Sequence, residues 1–365
     1  MRRSRLTAVT AGLIASGLLL AACGDDDEDN GDDGATTEET DDAGDEEAGD
    51  DGEATDGDGA MLETQLIADS DTANCEPASE AAPIPDPEGT GDDPTEISIA
   101  NFTGWDENIV VFELLNAALE EQGYTVDSTD LDPGPTYQGV AEGDADVMLD
   151  AWLPGTHGAT YVDMDSPDGA QLGEDLEDLG CWFNEGFLTL AVNNDSPAQS
   201  LDELADFQDE YGGRIVGIEE GAGLTQTTRD SVIPTYGLDD WDFAPSSSQA
   251  MLAELESAMD SGDNIVVTLW HPHWAYAAHD IRDLEDPEGA LGGAERLYSL
   301  GRPGFTEEYP NVAQLLKNLH LTNEQLLEIE DIMVVQNDRE DNAGSVAEWL
   351  DANPDFMDAW RNGEL

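Results

Sequence analysis

Positive charge is what this sequence has least of. Eleven of 365 residues are Lys or Arg, lysine occurs once (Lys317), and 85 residues are Asp or Glu, for a formal net charge of −74. A chain with no basic stripe does not bind nucleic acid and is repelled by anionic lipid head groups. The excess is not confined to a tail. Residues 24–60 hold 19 of the acids, which leaves 66 in residues 61–365 against 8 basic residues. Repulsion of that density is shortened to a few ångströms only in high salt, so the acidic positions read as a halophile-type solvated face. Long apolar runs are also missing. The longest, Ala8–Leu20, is too short to span a bilayer stably. No strained G-x-S-x-G elbow occurs and no Ser-His-acid set can be assembled at plausible spacing, which argues against a hydrolase and against an enzyme generally.

The amino terminus fixes a compartment. Arg2, Arg3 and Arg5 precede the apolar run, and Leu20-Ala21-Ala22-Cys23 follows it. Residues 1–22 therefore read as a signal peptide. The tetrapeptide resembles the lipobox of bacterial lipoproteins, which implies lipidation of Cys23 and a mature chain tethered to the outer face of the cell membrane. Residues 24–60 are almost entirely Asp, Glu, Gly, Thr and Ala, with nothing to bury. Pro83, Pro85, Pro87 and Pro94 extend the irregular part, so residues 23–93 are expected to be a disordered acidic linker. Two further cysteines, Cys75 and Cys181, lie beyond the lipidated one. In an oxidising exterior they suggest a disulfide from the linker's end to the folded part; two free buried thiols are the other reading.

The remaining 270 or so residues are enough for two lobes with real cores. Glu96–Asn101 alternates as a strand, Val110–Gly123 has helical spacing and a closing glycine, Tyr124–Leu131 and Ala145–Leu149 are strand-like, and Tyr137–Glu142 is a short helix. After the apolar strand Phe187–Val192 the pattern restarts: helix at Leu201–Gln208, strand at Arg214–Ile218, helices at Leu224–Tyr236 and Ala250–Ser261, strand at Asn264–Leu269. The last third reads as mostly helical, with capping boxes at Thr322…Gln325 and Ser345…Glu348. Strands alternating with helices predict α/β lobes, each with a mostly parallel sheet flanked by helices. The restart predicts one lobe inserted in the other, with residues 94–192 and 290–365 forming the first and 193–289 the second. Ligands of such folds bind beside the carboxyl ends of the strands, here in the cleft between lobes.

That rule selects few residues. Past the first strand lies Gly104-Trp105-Asp106-Glu107; past Leu149 come Trp152 and His157; past Ile218 comes Glu219-Glu220-Gly221-Ala222-Gly223-Leu224; past Leu269 comes Trp270-His271-Pro272-His273-Trp274. Three of the four strand ends carry tryptophan, and the fourth is a glycine-rich entry to a helix. Indole faces attract cations, and several around one point enclose a quaternary ammonium, which has no N–H to donate. Backbone N–H groups at a helix start, with a histidine beside them, suit a carboxylate. A cationic methylated end and an anionic end describe a betaine. Trp182, Trp241, Trp274, Trp349 and Trp360 read as packing.

GDADVMLDAWLPGTH, GIEEGAGL, APSSSQAM and IVVTLWHPHW, in that order, resemble segments of the glycine betaine/proline betaine substrate-binding proteins of ABC transporters over about residues 96–330. The resemblance implies a two-lobed, type II periplasmic-binding-protein fold that closes over its ligand. It implies an aromatic cage from Trp105, Trp152 and Trp270, and carboxylate donors from His157 and the amides of Gly223 and Leu224. Glu220 stands where the family usually has proline and adds negative charge near the anion pole, and Asp106 beside the first cage tryptophan leaves a choline-type mode open; a choline/carnitine-binding protein of the same fold is the alternative. Expected partners are a betaine-type solute and ABC permease subunits, with a monomeric chain and no cofactor. A metal site at His271, His273 and His279 is the rival from another class. His-x-His on a strand is a reasonable chelate, but no cysteine and no second compact histidine cluster accompany it.

Overall fold

A computed structural model describes residues 62, 64–163 and 171–365 of the chain. The signal peptide, Cys23 and the tether to residue 60 lie outside the described residues.

Nine strands form one curled sheet: β1 (Glu96–Phe102), β2 (Thr125–Leu131), β3 (Val147–Leu153), β4 (Glu177–Asn193), β5 (Arg214–Gly217), β6 (Asp242–Pro245), β7 (Val266–His271), β8 (Ile281–Asp283) and β9 (Glu295–Gly301). The order is β2-β1-β3-β9-β4-β7-β5-β6, with β8 also on β4. The parallel pairs sit towards the two ends, β1 with β2 and β3, and β5 with β6 and β7. The centre is antiparallel because the 17-residue β4 belongs to both halves. Its first part, Glu177–Gly186, pairs with β9, and Phe187–Asn193 pairs with β7 and β8.

The helices are α1 (Asp106–Gln122), α2 (Pro133–Ala141), α3 (Gly223–Thr227), α4 (Ile233–Thr235), α5 (Ser248–Ser261), α6 (Ala275–Ala278), α7 (Phe305–Glu308), α8 (Pro310–Lys317), α9 (Asn323–Glu330), α10 (Asn342–Ala352) and α11 (Phe356–Asn362). Val110, Val111, Leu114, Leu115, Ala118 and Leu119 of α1 are wholly buried. Each such aliphatic side chain stabilises the fold by about 1.5–3 kcal/mol, alanine by less. Gly123 ends α1 in the left-handed conformation at φ 97°, where glycine has no Cβ to strain.

Several expectations change here. The sequence predicts a disordered linker to residue 93, but residues 64–93 are packed on the folded body. Ile67 and Ile84 are in the core, and Leu66 bridges to Glu177. The Ala82 and Asp86 amides donate to Asn318 Oδ1 (3.0 Å) and Asn311 Oδ1 (2.8 Å). A Cys75–Cys181 disulfide joins the strap to β4. Proline removes periodicity from this stretch, not its ability to bury two isoleucines and satisfy its amides.

The C-terminal third also contains β9, which its single short run ERLYSLG does not announce. The Thr322…Gln325 capping box is formed. The one expected at Ser345…Glu348 is not: α10 starts earlier, capped by the Asp341 side chain, and Ser345 Oγ donates to the Asp341 carbonyl inside the first turn. Trp182, Trp349 and Trp360 are buried with their indole N–H groups donating to Leu149 O, Glu328 Oε2 and Leu315 O.

Candidate functional site

The loop after β3 is set by β9. Pairing of Ala151, Trp152 and Leu153 with Tyr298, Leu297 and Arg296 carries the strand through Trp152, beyond the Leu149 end expected from sequence. The chain then turns through Pro154-Gly155-Thr156. Glu295 at the start of β9 holds that turn, accepting from Gly155 N (3.0 Å), Thr156 N (2.8 Å) and Thr156 Oγ1 (2.8 Å). A Cβ on Gly155 would stand 2.6 Å from Glu295 Oε1, so a larger residue there would push the carboxylate off the donors it holds. The His157 amide donates back to Trp152 O at 2.9 Å and closes the loop.

His157 is fully buried. Its Nδ1 accepts from the Trp152 amide at 3.0 Å and lies 3.1 Å from the Tyr137 hydroxyl. A backbone amide can only donate, so Nδ1 carries no proton and the neutral ring holds its proton on Nε2. Burial pushes the imidazole down to about 3, which keeps it neutral at ordinary pH. Nε2 is buried with no partner in the protein, and is therefore a preset donor.

Facing it is the start of α3. A Cβ on Gly223 would meet Thr156 Cγ2 at 2.5 Å, Thr156 O at 2.7 Å and His157 Cδ2 at 3.3 Å. Glycine at this position lets the helix start press on the histidine loop. The first N–H groups of a helix have no intrahelical acceptor and mark its positive end. Gly223 and Leu224 supply two of them next to His157. The Tyr161 hydroxyl donates to Gly221 O, and its ring packs edge-on to His157 with centroids 5.3 Å apart.

The three tryptophans come together. Trp105, at the N-cap of α1, Trp152 in β3 and Trp270 in β7 line one cavity with His157 and Leu224. Trp270, like Trp152, lies within its strand, opposite Leu188 of β4. The Trp105 and Trp270 ring centroids are 6.4 Å apart at 53°, and Trp105 stacks on His157 at 5.8 Å and 22°. Trp105 Nε1 donates to Glu219 Oε2 at 3.4 Å, and Glu219 also accepts from Ser248 N (2.7 Å) and Ser248 Oγ (2.8 Å). Three indoles thus line the cavity, with His157 and the start of α3 beside them.

Residues 95–352 match the family model described as the substrate-binding domain of the ABC-type glycine betaine transport system. The chain belongs to this family. It is 35% identical over 164 residues to the glycine betaine/carnitine transport binding protein GbuC of Listeria monocytogenes, covering 44% of this chain and 53% of that one. The chain thus spans about half the length of that relative. Lactococcal OpuAC, solved closed and complexed with glycine betaine, superposes with TM-score 0.66 at 27% identity over 73% of this chain and 99% of that one. An ABC-transporter choline binding protein in complex with choline gives TM-score 0.66 at 28% identity over 74% and 92%. The architecture is the two-lobed periplasmic-binding-protein fold, with the curled mixed sheet described above.

Asp106 and Glu220 stand outside the cavity, and Gly223, packed on Thr156 and His157, is not among the residues that line it. Asp106 is 2% exposed, but its carboxylate is held by Arg339 (2.6 and 2.8 Å) and Trp274 Nε1 (2.7 Å). Its neighbour Glu107 lines the cavity instead. Glu220 is at the surface, paired with Arg229 at 2.7 Å, and does not burden the donor pole. Of the three clustered histidines, His271 pairs with Asp283 at 3.0 Å and stacks on Phe187 and Tyr276, while His273 Nδ1 accepts from the Ala275 amide. Among the described residues no three His, Cys, Asp or Glu side chains are placed to hold a metal ion. Also among those residues, no helix is long and apolar enough to cross a membrane. Glu107, Thr156, Tyr137, Tyr161 and Glu295 were not singled out from sequence. One acid among 85 carries no mark of its own, and the tyrosines become visible only through their contact with His157.

Proposed function

We propose that this chain captures glycine betaine, or a related quaternary-ammonium solute, outside the cytoplasmic membrane and delivers it to the permease of an ABC importer. The observation that carries the reading is the convergence of three indoles and the preset His157 Nε2–H on one cavity. The methylated cation sits against Trp105, Trp152 and Trp270, and the carboxylate accepts from His157 and the Gly223 and Leu224 amides. Relatives whose names or complexes record glycine betaine support this assignment. No covalent chemistry is involved. Closure of lobe 193–289 on lobe 94–192 with 290–365 excludes water, which strengthens both poles. In the same reading Cys23 bears the lipid anchor, and the protein works as a monomer.

A choline or carnitine ligand is the second reading. It is favoured by Glu107, a carboxyl on the cavity wall beside the cage, and by the choline-bound relative. Calorimetry of the exported chain with glycine betaine, carnitine, choline and zinc, in low and high salt, tests both. Tightest binding of glycine betaine is expected. Binding of zinc and of none of the three organic cations would overturn the proposal.

A further inference from the structure

Glu107 on the cavity wall belongs with two further buried carboxyls that the glycine betaine reading does not use. Glu107 stands in the first turn of α1, Asp150 in the middle of β3, and Glu330 at the end of α9. They are 1%, 0% and 0% exposed. Glu330 Oε2 accepts from the Trp274 amide at 2.9 Å. Glu330 Oε1 and Glu107 Oε2 are buried with no hydrogen-bond partner, buried Asp150 has only the Trp152 indole beside it, and Glu107 lines the cage cavity itself.

We propose that Glu107, Asp150 and Glu330 form a proton-holding carboxyl cluster, and that arrival of a quaternary ammonium in the cage drives one proton out of it. The inference rests on the ligand class assigned above. Its physical basis is the charge balance of a closed space. The charged groups that act on buried Glu107 are Asp150, Glu330 and its chain neighbour Asp106, all acidic. Arg339 is engaged with Asp106, and acts on Glu330 beside it. His157 and His273 are held neutral by burial and offer no counter-charge. Buried carboxyls so placed cannot all ionise; they share protons and titrate as one unit. Burial raises Glu107 and Glu330 well above the usual carboxylate range. Asp150 is pushed up to about 8, with the neighbouring Trp152 indole opposing the rise.

A ligand bearing a fixed positive charge changes this balance. The ammonium brings no N–H of its own, so that group cannot satisfy the carboxyl oxygens by hydrogen bonding. It acts by charge, favouring the carboxylate on Glu107. The carboxyl O–H bond breaks, the proton passes to solvent, and the ammonium is unchanged, so one ammonium group enters the cage as one proton leaves the cluster; with choline the exchange is cation for proton, and with glycine betaine the ligand's own carboxylate stays at the donor pole. Affinity must then rise with pH, by up to about tenfold per unit for one proton released. Glu107 also becomes a selectivity element, since a neutral isostere of the ligand would displace no proton.

The test is calorimetry of the full exported chain with glycine betaine and with choline, in buffers of different ionisation enthalpy at one pH. The dependence of the observed heat on buffer counts the protons. Release of a substantial fraction of one proton near neutral pH is expected. In E107Q, affinity for a quaternary ammonium is expected to fall, most for choline, and the binding that remains should show proton release and pH dependence near zero. E330Q, whose amide oxygen can still accept from Trp274, is expected to reduce both, and guards against a folding defect in E107Q. Infrared spectra of the ligand-free protein should show a protonated-carboxyl band at neutral pH that weakens in E107Q and on adding ligand. Binding with no proton release, or an unchanged release in E107Q, overturns this proposal alone. Affinity that tracks sodium concentration at fixed ionic strength also overturns it, by showing that the cluster holds a metal cation. Absence of binding heat with every quaternary ammonium overturns the ligand reading on which it rests.

Discussion

Replacing His157 by phenylalanine separates the two poles of the proposed ligand site. The phenyl ring keeps the contacts that the imidazole makes with Phe102, Trp105 and Tyr161, at centroid distances of 5.5, 5.8 and 5.3 Å. It removes the Nε2–H donor, and a hydrogen bond to a charged group contributes about 1.5–3 kcal/mol. Glycine betaine affinity is therefore expected to fall by about 10- to 150-fold. Choline has no carboxylate to lose that donor, so its affinity should change by less than about threefold. The same substitution strips Nδ1 from the Trp152 amide and the Tyr137 hydroxyl. Each orphaned donor costs about 1–3 kcal/mol. That penalty is common to the free and liganded protein, so it lowers Tm without favouring one ligand over the other. Calorimetry with both ligands, alongside thermal melts, reads the two effects separately. Equal losses for glycine betaine and choline, or none for glycine betaine, would refute the donor assignment.

Three further outcomes follow from the same geometry. Trp152→Ala or Trp270→Ala should each weaken binding of any quaternary ammonium by roughly tenfold or more, since a desolvated cation–π contact is worth about 2 kcal/mol; unchanged titrations in both variants would sink the cage. The Cys75–Cys181 bridge spans 106 residues, for which chain entropy gives up to about 4.7 kcal/mol. Cys75→Ser with Cys181→Ser should lower Tm by several degrees while leaving ligand selectivity in place, and an unchanged melt would show that the strap is held by Ile67, Ile84 and its hydrogen bonds alone. The buried carboxyls also give stability a pH dependence with a definite sign. Because Glu107 is raised above its ordinary 4.5 on folding, its contribution is fully present below about 4.5 and is lost as pH rises through its folded value. Glu107→Gln should therefore gain in Tm relative to the parent as pH rises above that point, and a difference constant with pH would contradict the burial argument. His157 works on the acid side: with a folded value near 3 against 6.5 unfolded, it lowers stability as pH falls from 6.5 towards 3.

How much of this was readable in the chain depends on the range of each interaction. Strands β1, β2 and β5 and helices α1 and α5 announce themselves because their periodicity is local. So does the glycine-rich entry to α3, where local φ/ψ demands and the helix start coincide. The neighbourhood of the four strand ends follows from that pattern, and with it Trp105, Trp152 and Trp270 as candidates, although Trp152 and Trp270 lie within their strands; the assignment of His157, Gly223 and Leu224 as carboxylate donors came from the family resemblance. Charge composition and the Leu20–Cys23 tetrapeptide likewise need no tertiary information.

What the fold alone decided are relations between residues far apart in sequence. That β4 serves both halves of the sheet, and that β9 inserts between β3 and β4, depends on pairings from Val192 with Val266, 74 residues apart, to Val147 with Gly301, 154 apart, which no local pattern encodes. Glu295 holds the Pro154–Thr156 turn from 139 and 140 residues away, and is indistinguishable in the sequence from its many acidic neighbours. Asp106 and Glu107 are adjacent, yet successive helical residues point about 100° apart, so one meets Arg339 and the other the cavity. The tautomer of His157 has the same origin. Residue type supplied an imidazole, but only the Trp152 amide folded back against Nδ1 determines which nitrogen holds the proton.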